Sequence, residues 1–271
     1  MMRRRDLLAG SLVTATVAGL PGLLSADARA QDEGSSKGRE FYELRRYQFR
    51  NGPGPKLVHD YLRDAAIPAL NRAGIKPVGV FNGMVGPENP STYVLVPYPS
   101  LQEIAAVSRR LARDEEYQSR AADYLNAPAT QPAYVRFESF LLEAFETVPR
   151  VEAPPAVAEK RPRIFELRTY ENPSEKANET KVKMFNTAEI AIFRRTGLTP
   201  VFFGNALVGS RMPHLTYMLT FESVEDREKK WRVFGSDPAW KKLSTTPGYT
   251  DPEIITNITN MFLSPAGYSQ I

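Results

Sequence analysis

Cysteine is absent from the chain and histidine occurs only twice. The first absence excludes disulfide cross-links, thiol nucleophiles, iron–sulfur clusters and thiolate zinc sites. The two histidines, His59 and His214, lie far apart in sequence. Zinc and copper sites gather several nitrogen or sulfur ligands, so no metal and no obligatory cofactor is expected. Gly79, Gly83 and Gly86 are scattered over a strand and a loop and do not make a phosphate cradle. No run reaches the ~20 strongly apolar residues that span a bilayer. The mildest candidate, Leu7 to Leu24, is broken by Gly10, Thr14, Thr16, Gly19 and Pro21. Charge of one sign is also lacking: without the first 30 residues, 31 basic side chains face 29 acidic ones. No Lys/Arg stripe interleaved with aromatics remains, so nucleic acid is not an expected partner.

The N-terminus carries an address. Arg4-Arg5-Asp6-Leu7-Leu8 resembles a twin-arginine export signal, and Ala28-Arg29-Ala30 offers an A-x-A cleavage site. Residues 1–30, marked by Arg4, Arg5, Ala28 and Ala30, are therefore expected to be removed. A periplasmic or secreted protein without stable membrane insertion would remain. The resemblance implies export of a protein already folded in a reducing cytoplasm, which agrees with the missing cysteine. Residues 31–40 are polar and read as a disordered linker.

The remainder of the chain contains itself twice. Glu43-Leu44-Arg45-Arg46-Tyr47 returns as Glu166-Leu167-Arg168-Thr169-Tyr170, an offset of 123 positions. The same frame joins Gly74 to Gly197, Pro77 to Pro200, Asn82 to Asn205, Gly86 to Gly209, Ser100 to Ser223 and Asp114 to Asp237. Thr92-Tyr93 meets Thr216-Tyr217 after a slip of one residue, and the last strand needs a small gap. A period this long makes each copy a small domain and not a solenoid unit.

Each copy reads as β-α-β-β-α-β. Phe41 to Phe49 is rich in β-formers and stops at Asn51-Gly52-Pro53-Gly54-Pro55. Val58, Tyr61, Leu62, Ala65 and Ala69 recur at helical spacing, and Gly74 and Gly197 sit where a helix C-cap falls. Strands over Lys76 to Val85 and Thr92 to Tyr98 flank a Gly86–Pro90 hairpin loop. Ser100 with Glu103 predicts a capping box for a second helix. A last strand runs from Tyr134 to Phe145, matched by Glu253 to Leu263. The fold class is thus α+β: two tandem ferredoxin-like βαββαβ domains, 41–148 and 163–271, joined by a Pro-rich linker at 149–162. Helices cover one face of each sheet, so the bare faces are expected to pack together as an intramolecular dimeric α/β barrel.

Glu43-Leu44-Arg45-x-Tyr47, its copy, and Asp237-Pro238-Ala239-Trp240 make the chain similar to the NIPSNAP family, over residues 41–145 and 163–264. The first half departs from that pattern at Asp114-Glu115-Glu116-Tyr117. The resemblance implies the dimeric α/β-barrel superfamily, which contains cofactor-free monooxygenases, haem enzymes and polyketide cyclases and so leaves the activity open.

Strand alternation puts Tyr42 and Leu44 on one face and Glu43, Arg45 and Tyr47 on the other. With the apolar face assigned to the helices, Glu43, Arg45, Tyr47, Glu166, Arg168 and Tyr170 are expected between the two sheets. Glu and Arg two residues apart lie close enough to pair. Either they are ion pairs that fix register, or they line a cavity for a small anionic or phenolic ligand, with Asn82 and Asn205 as further amide donors. Three functions are compatible. The first is small-molecule binding or protein interaction, with a homo-oligomer as a further partner. The second is a cofactor-free oxygenase or isomerase with Tyr47 or Tyr170 as proton donor and Glu43 or Glu166 as base. The third is haem handling through His59 or His214. Trp231, Trp240 and Phe234 occur at helical spacing and read as core.

Overall fold

The computed structural model describes residues 38–86 and 89–271. The expected export signal, with Arg4, Arg5, Ala28 and Ala30, lies outside the described residues. The first half runs β1 (Phe41–Gln48), α1 (Gly54–Tyr61), a π-helical turn (Leu62–Ala66), α2 (Ile67–Arg72), β2 (Gly79–Val85), β3 (Ser91–Tyr98), α3 (Leu101–Leu111), α4 (Glu115–Arg120), α5 (Ala122–Leu125) and β4 (Arg136–Ala144). A short helix α6 (Pro155–Ala158) lies in the Pro-rich linker. The second half repeats the order as β5 (Ile164–Glu171), α7 (Glu175–Met184), a second π-helical turn (Phe185–Glu189), α8 (Ile190–Arg195), β6 (Thr199–Val208), β7 (His214–Phe221), α9 (Val224–Ser236), α10 (Pro238–Ser244), α11 (Asp251–Ile254) and β8 (Asn257–Pro265).

The helix ends follow the residues that announce them. Gly74 and Gly197 take φ of 84° and 88°, the left-handed conformation that ends a helix at least cost in glycine. Ser100 and Ser223 each accept a hydrogen bond from the backbone N–H three residues on. Asp114 and Asp237 cap the next helices in the same way and also bind arginines at the ends of α2 and α8, Arg72 at 2.7 Å and Arg195 at 2.5 Å.

The strands close an antiparallel barrel in the order β1-β3-β2-β8-β5-β7-β6-β4. The two sheets do more than face each other. Their edges hydrogen-bond through β2 with β8 and β4 with β6, so neither sheet keeps a free edge. One apolar cluster draws side chains from all eight strands, including Tyr42, Leu95, Leu142, Phe165, Phe202 and Leu263, and fills the lumen. Two other clusters lie between sheet and helices, one per half. Glycines make room inside: a Cβ on Gly79 would stand 2.6 Å from the Phe81 ring, and one on Gly204 would stand 2.8 Å from Leu142 Cβ.

Two expectations are corrected by the register. Arg46 pairs with Tyr93, and Thr169 pairs with Thr216. Tyr93 therefore corresponds to Thr216 with no slip, and Thr92-Tyr93 against Thr216-Tyr217 is a chance likeness. Tyr217 belongs to the helix-side cluster whereas Tyr93 belongs to the lumen, and a one-residue shift would exchange those faces. In the last strand Leu142 corresponds to Leu263, both opposite the first strand of their half and both in the lumen.

The second correction concerns the charged face. Tyr42, Leu44, Phe165 and Leu167 point into the lumen. Tyr47 and Tyr170 lie in the helix-side clusters, and Glu43, Arg45, Glu166 and Arg168 share their face. The alternation is as expected but its assignment is inverted. Polar partners meet the charges on that face: Tyr98 and Ser139 from the neighbouring strands β3 and β4 in the first half, and Arg227 and Trp231 from helix α9 in the second.

Candidate functional site

The six repeated polar residues form two separate sets, one under each helical layer. In the first half Arg45 Nη2 donates to Glu43 Oε2 at 2.7 Å. The same carboxylate accepts from Tyr98 at 3.1 Å and from Ser139 at 2.9 Å. Burial alone would raise the Glu43 carboxyl pKa, but the Arg45 charge and these hydrogen bonds bring it below the ordinary value. Tyr47 is buried beside Tyr134 and Phe137 at the end of this set.

In the second half Glu166 is fully buried. It receives Arg168 at 2.9 Å, Arg227 at 2.6 Å and the Trp231 indole at 2.7 Å. Burial works against its charge, and the bonds from Arg227, the Arg168 charge and Trp231 together bring its pKa below the ordinary value. Arg168 also donates to Tyr170 at 3.1 Å, and Tyr170 meets the Tyr217 hydroxyl at 3.1 Å. Arg227 and Trp231 stand on α9, where helical spacing carries both to one carboxylate; reading the tryptophan as plain core missed this.

Asn82 and Asn205 do share a strand position, but their surroundings differ. Asn82 Oδ1 accepts from Thr92 at 2.9 Å, whereas Asn205 Oδ1 is buried without a hydrogen-bond partner. The two Glu/Arg/Tyr sets project outward from β1 and β5, which lie four strands apart around the barrel, so they do not converge on one ligand.

Open space lies elsewhere. The lumen retains a cavity of about 40 Å³ at the hairpin end, lined by Arg46, Thr169, His214 and Thr216 among apolar neighbours. Arg46 and Thr169 are the unrepeated position of the Glu-Leu-Arg-x-Tyr motif, which faces away from its repeated neighbours. A groove of about 810 Å³ lies in the first half between the β1–α1 loop and the segment before β4. Phe49, Leu57, Tyr134 and Val135 give it apolar walls, and Arg50 and Gln131 contribute polar groups. The matching region of the second half is tied shut. There Asn172 donates to the Ile254 carbonyl at 2.6 Å and accepts from Asn178 at 3.0 Å.

His59 Nδ1 is 2.5 Å from the Tyr268 hydroxyl, and His214 faces the small lumen cavity. Among the described residues no group of three His, Asp or Glu side chains could hold a metal ion, and no helix is long and apolar enough to cross a membrane.

The NIPSNAP family model matches residues 42–133 and 165–270, one match per half. A candidate monooxygenase from Lactobacillus acidophilus shares the fold with a TM-score of 0.55 at 7% identity, covering 84% of this chain and 94% of that one. An anthrone oxidase-like protein gives a TM-score of 0.51 at 11% identity, covering 86% and 93%. A NIPSNAP-like domain protein from Burkholderia xenovorans is 20% identical over 40% of this chain and 88% of its own, with a TM-score of 0.36. No curated protein matches the chain.

Proposed function

Because the chain belongs to the NIPSNAP family, with one match in each half, we propose that it is an exported, non-catalytic binding protein that takes a small amphipathic molecule in the first-half groove. The observation that carries this reading is a division of labour. The repeated charged groups are occupied with one another, while the groove of about 810 Å³ stands open in the first half. Organic ligands occupy concavities of roughly 300–1,000 Å³ with mostly apolar walls and a few polar contacts. Phe49, Leu57 and Tyr134 would hold the apolar body, and Arg50 would meet an acidic or carbonyl head.

The oxygenase or isomerase reading needs an acid and a base that face substrate. Glu43 and Glu166 are each held by three side chains, and Tyr47 and Tyr170 are buried. The likeness to two oxygenase-type proteins is one of fold, which hosts many chemistries. A porphyrin cannot enter the cavity at His214, whose volume is about 40 Å³.

The test is native mass spectrometry of the full chain purified from its own host, beside Val135→Trp. Val135 is exposed and lines the groove, so tryptophan fills the space without disturbing the core. A retained small molecule that disappears in a Val135→Trp protein of unchanged Tm is the expected result. Bare wild-type mass, or equal retention in both, refutes the groove.

A further inference from the structure

The mouth of the lumen carries a second, independent feature. His214 is buried, and its Nε2 has no hydrogen-bond partner. Leaving such an atom unpaired costs about 1–3 kcal/mol. Its ring lines the cavity of about 40 Å³ with Thr216, whose hydroxyl lies 3.4 Å from Nδ1 and 2.9 Å from the Thr169 hydroxyl. Two guanidiniums, Arg46 and Arg211, reach the same lining, and no Asp or Glu is among its described residues. Arg46 is paired with Glu138 across the strands, and Arg211 stands 3.6 Å from Glu171.

The backbone adds a separate sign. Arg211 has φ of 58°, a left-handed conformation in a non-glycine residue, on the β6–β7 loop that borders the cavity. Such strain persists only where the surroundings hold it. The site is also one-sided: in the 123-residue frame the position of His214 carries Ser91 and that of Thr216 carries Tyr93.

We propose that the lumen mouth binds a small planar oxyanion of the formate or nitrate class, held by His214 Nε2–H within the field of Arg46 and Arg211, with the Thr216 hydroxyl setting the imidazole tautomer. The volume sets the size. About 10–15 Å³ accommodates one water, so three or four heavy atoms fill the space and a larger carboxylate does not. The donors set the sign, since the unpartnered Nε2 can carry a hydrogen into the cavity and Arg46 and Arg211 line it, each shared with a carboxylate, Glu138 or Glu171, that is outside the lining. Burial, then the Arg211 charge, lowers the His214 pKa, so at neutral pH the ring presents one N–H and one lone pair. An anion favours the tautomer with hydrogen on Nε2, and the Thr216 hydroxyl can then donate to Nδ1.

The experiment is a titration of the full chain with sodium formate at constant ionic strength, reading the imidazole nitrogen resonances. His59, held by Tyr268, is the internal control. The expected result is a saturable change at His214 with His59 still. Arg211→Gly should fold at least as well as wild type, because glycine suits the left-handed φ. It should also weaken formate roughly tenfold or more through loss of a charged partner. An unsaturable change shared by both histidines overturns the proposal, as does undiminished affinity in Arg211→Gly. Should that variant not fold, the wild-type titration alone decides.

Discussion

Lys181 Nζ and Glu189 Oε2 lie 3.0 Å apart across the π-helical turn of the second half, both side chains withdrawn from solvent. Their counterparts in the first half are Val58 and Ala66, also buried. The ammonium also stands 4.8 Å from the Phe185 ring and 5.5 Å from that of Tyr170. Burial works against the charged lysine, but Glu189 and Tyr170 outweigh it and its pKa rises.

The first half therefore supplies a natural control for the second. Lys181→Val alone should destabilise by about 3–5 kcal/mol, because Glu189 is left buried without its cation. Lys181→Val with Glu189→Ala copies the first half and should recover most of that loss. Urea denaturation of the two single variants and the pair measures the coupling.

Glu166→Gln removes the charge shared by Arg168, Arg227 and Trp231 and should cost about 3–5 kcal/mol. The folded Glu166 and Glu43 pKa values lie below the ordinary 4.5. Their contribution is thus present above the unfolded value and is lost as pH falls through the folded values. Denaturation midpoints of wild type should drop steeply below about pH 4.5, and those of Glu166→Gln should fall less over the same window.

Asp237 caps α10, accepting from Ala239 N–H at 2.8 Å and Trp240 N–H at 3.1 Å. Asp237→Ala should lower the melting temperature measurably, and Asp237→Asn much less, because asparagine caps as well as aspartate. The exposed Arg195 partner adds little. Thermal melts of the two variants separate a cap from a ligand contact, and equal losses would contradict the capping role.

The duplication made the architecture legible. A repeated strand–helix–strand–strand–helix–strand order, with Gly74 and Gly197 as stops and Ser100 and Ser223 as starts, leaves few arrangements for the bare sheet faces. What could not be read was which face is bare. Glu43 and Arg45 look out of place beside helices until Tyr98 and Ser139 are known to meet them, and those partners lie 55 and 96 residues away. The partners of Glu166 on α9 lie 61 and 65 residues away.

The lumen mouth was hidden for a different reason. Identity between halves draws attention to Glu, Leu, Arg and Tyr, whereas the cavity is lined by what differs: Arg46 against Thr169, and His214 against Ser91. The usable signal was a polar residue on the apolar alternation of a central strand, which Arg46 displays after Tyr42 and Leu44.

Nuclear Overhauser contacts of Arg168 and Arg45 in the full chain test most directly whether the repeated charges stand outside the barrel. Cross-peaks from Arg168 to the Trp231 indole, whose ring centre is 4.7 Å from the guanidinium, are expected together with Arg45 contacts to Tyr98 and Tyr47. Contacts from either arginine to lumen residues Met218 or Leu95, or between the two arginines, would contradict that placement.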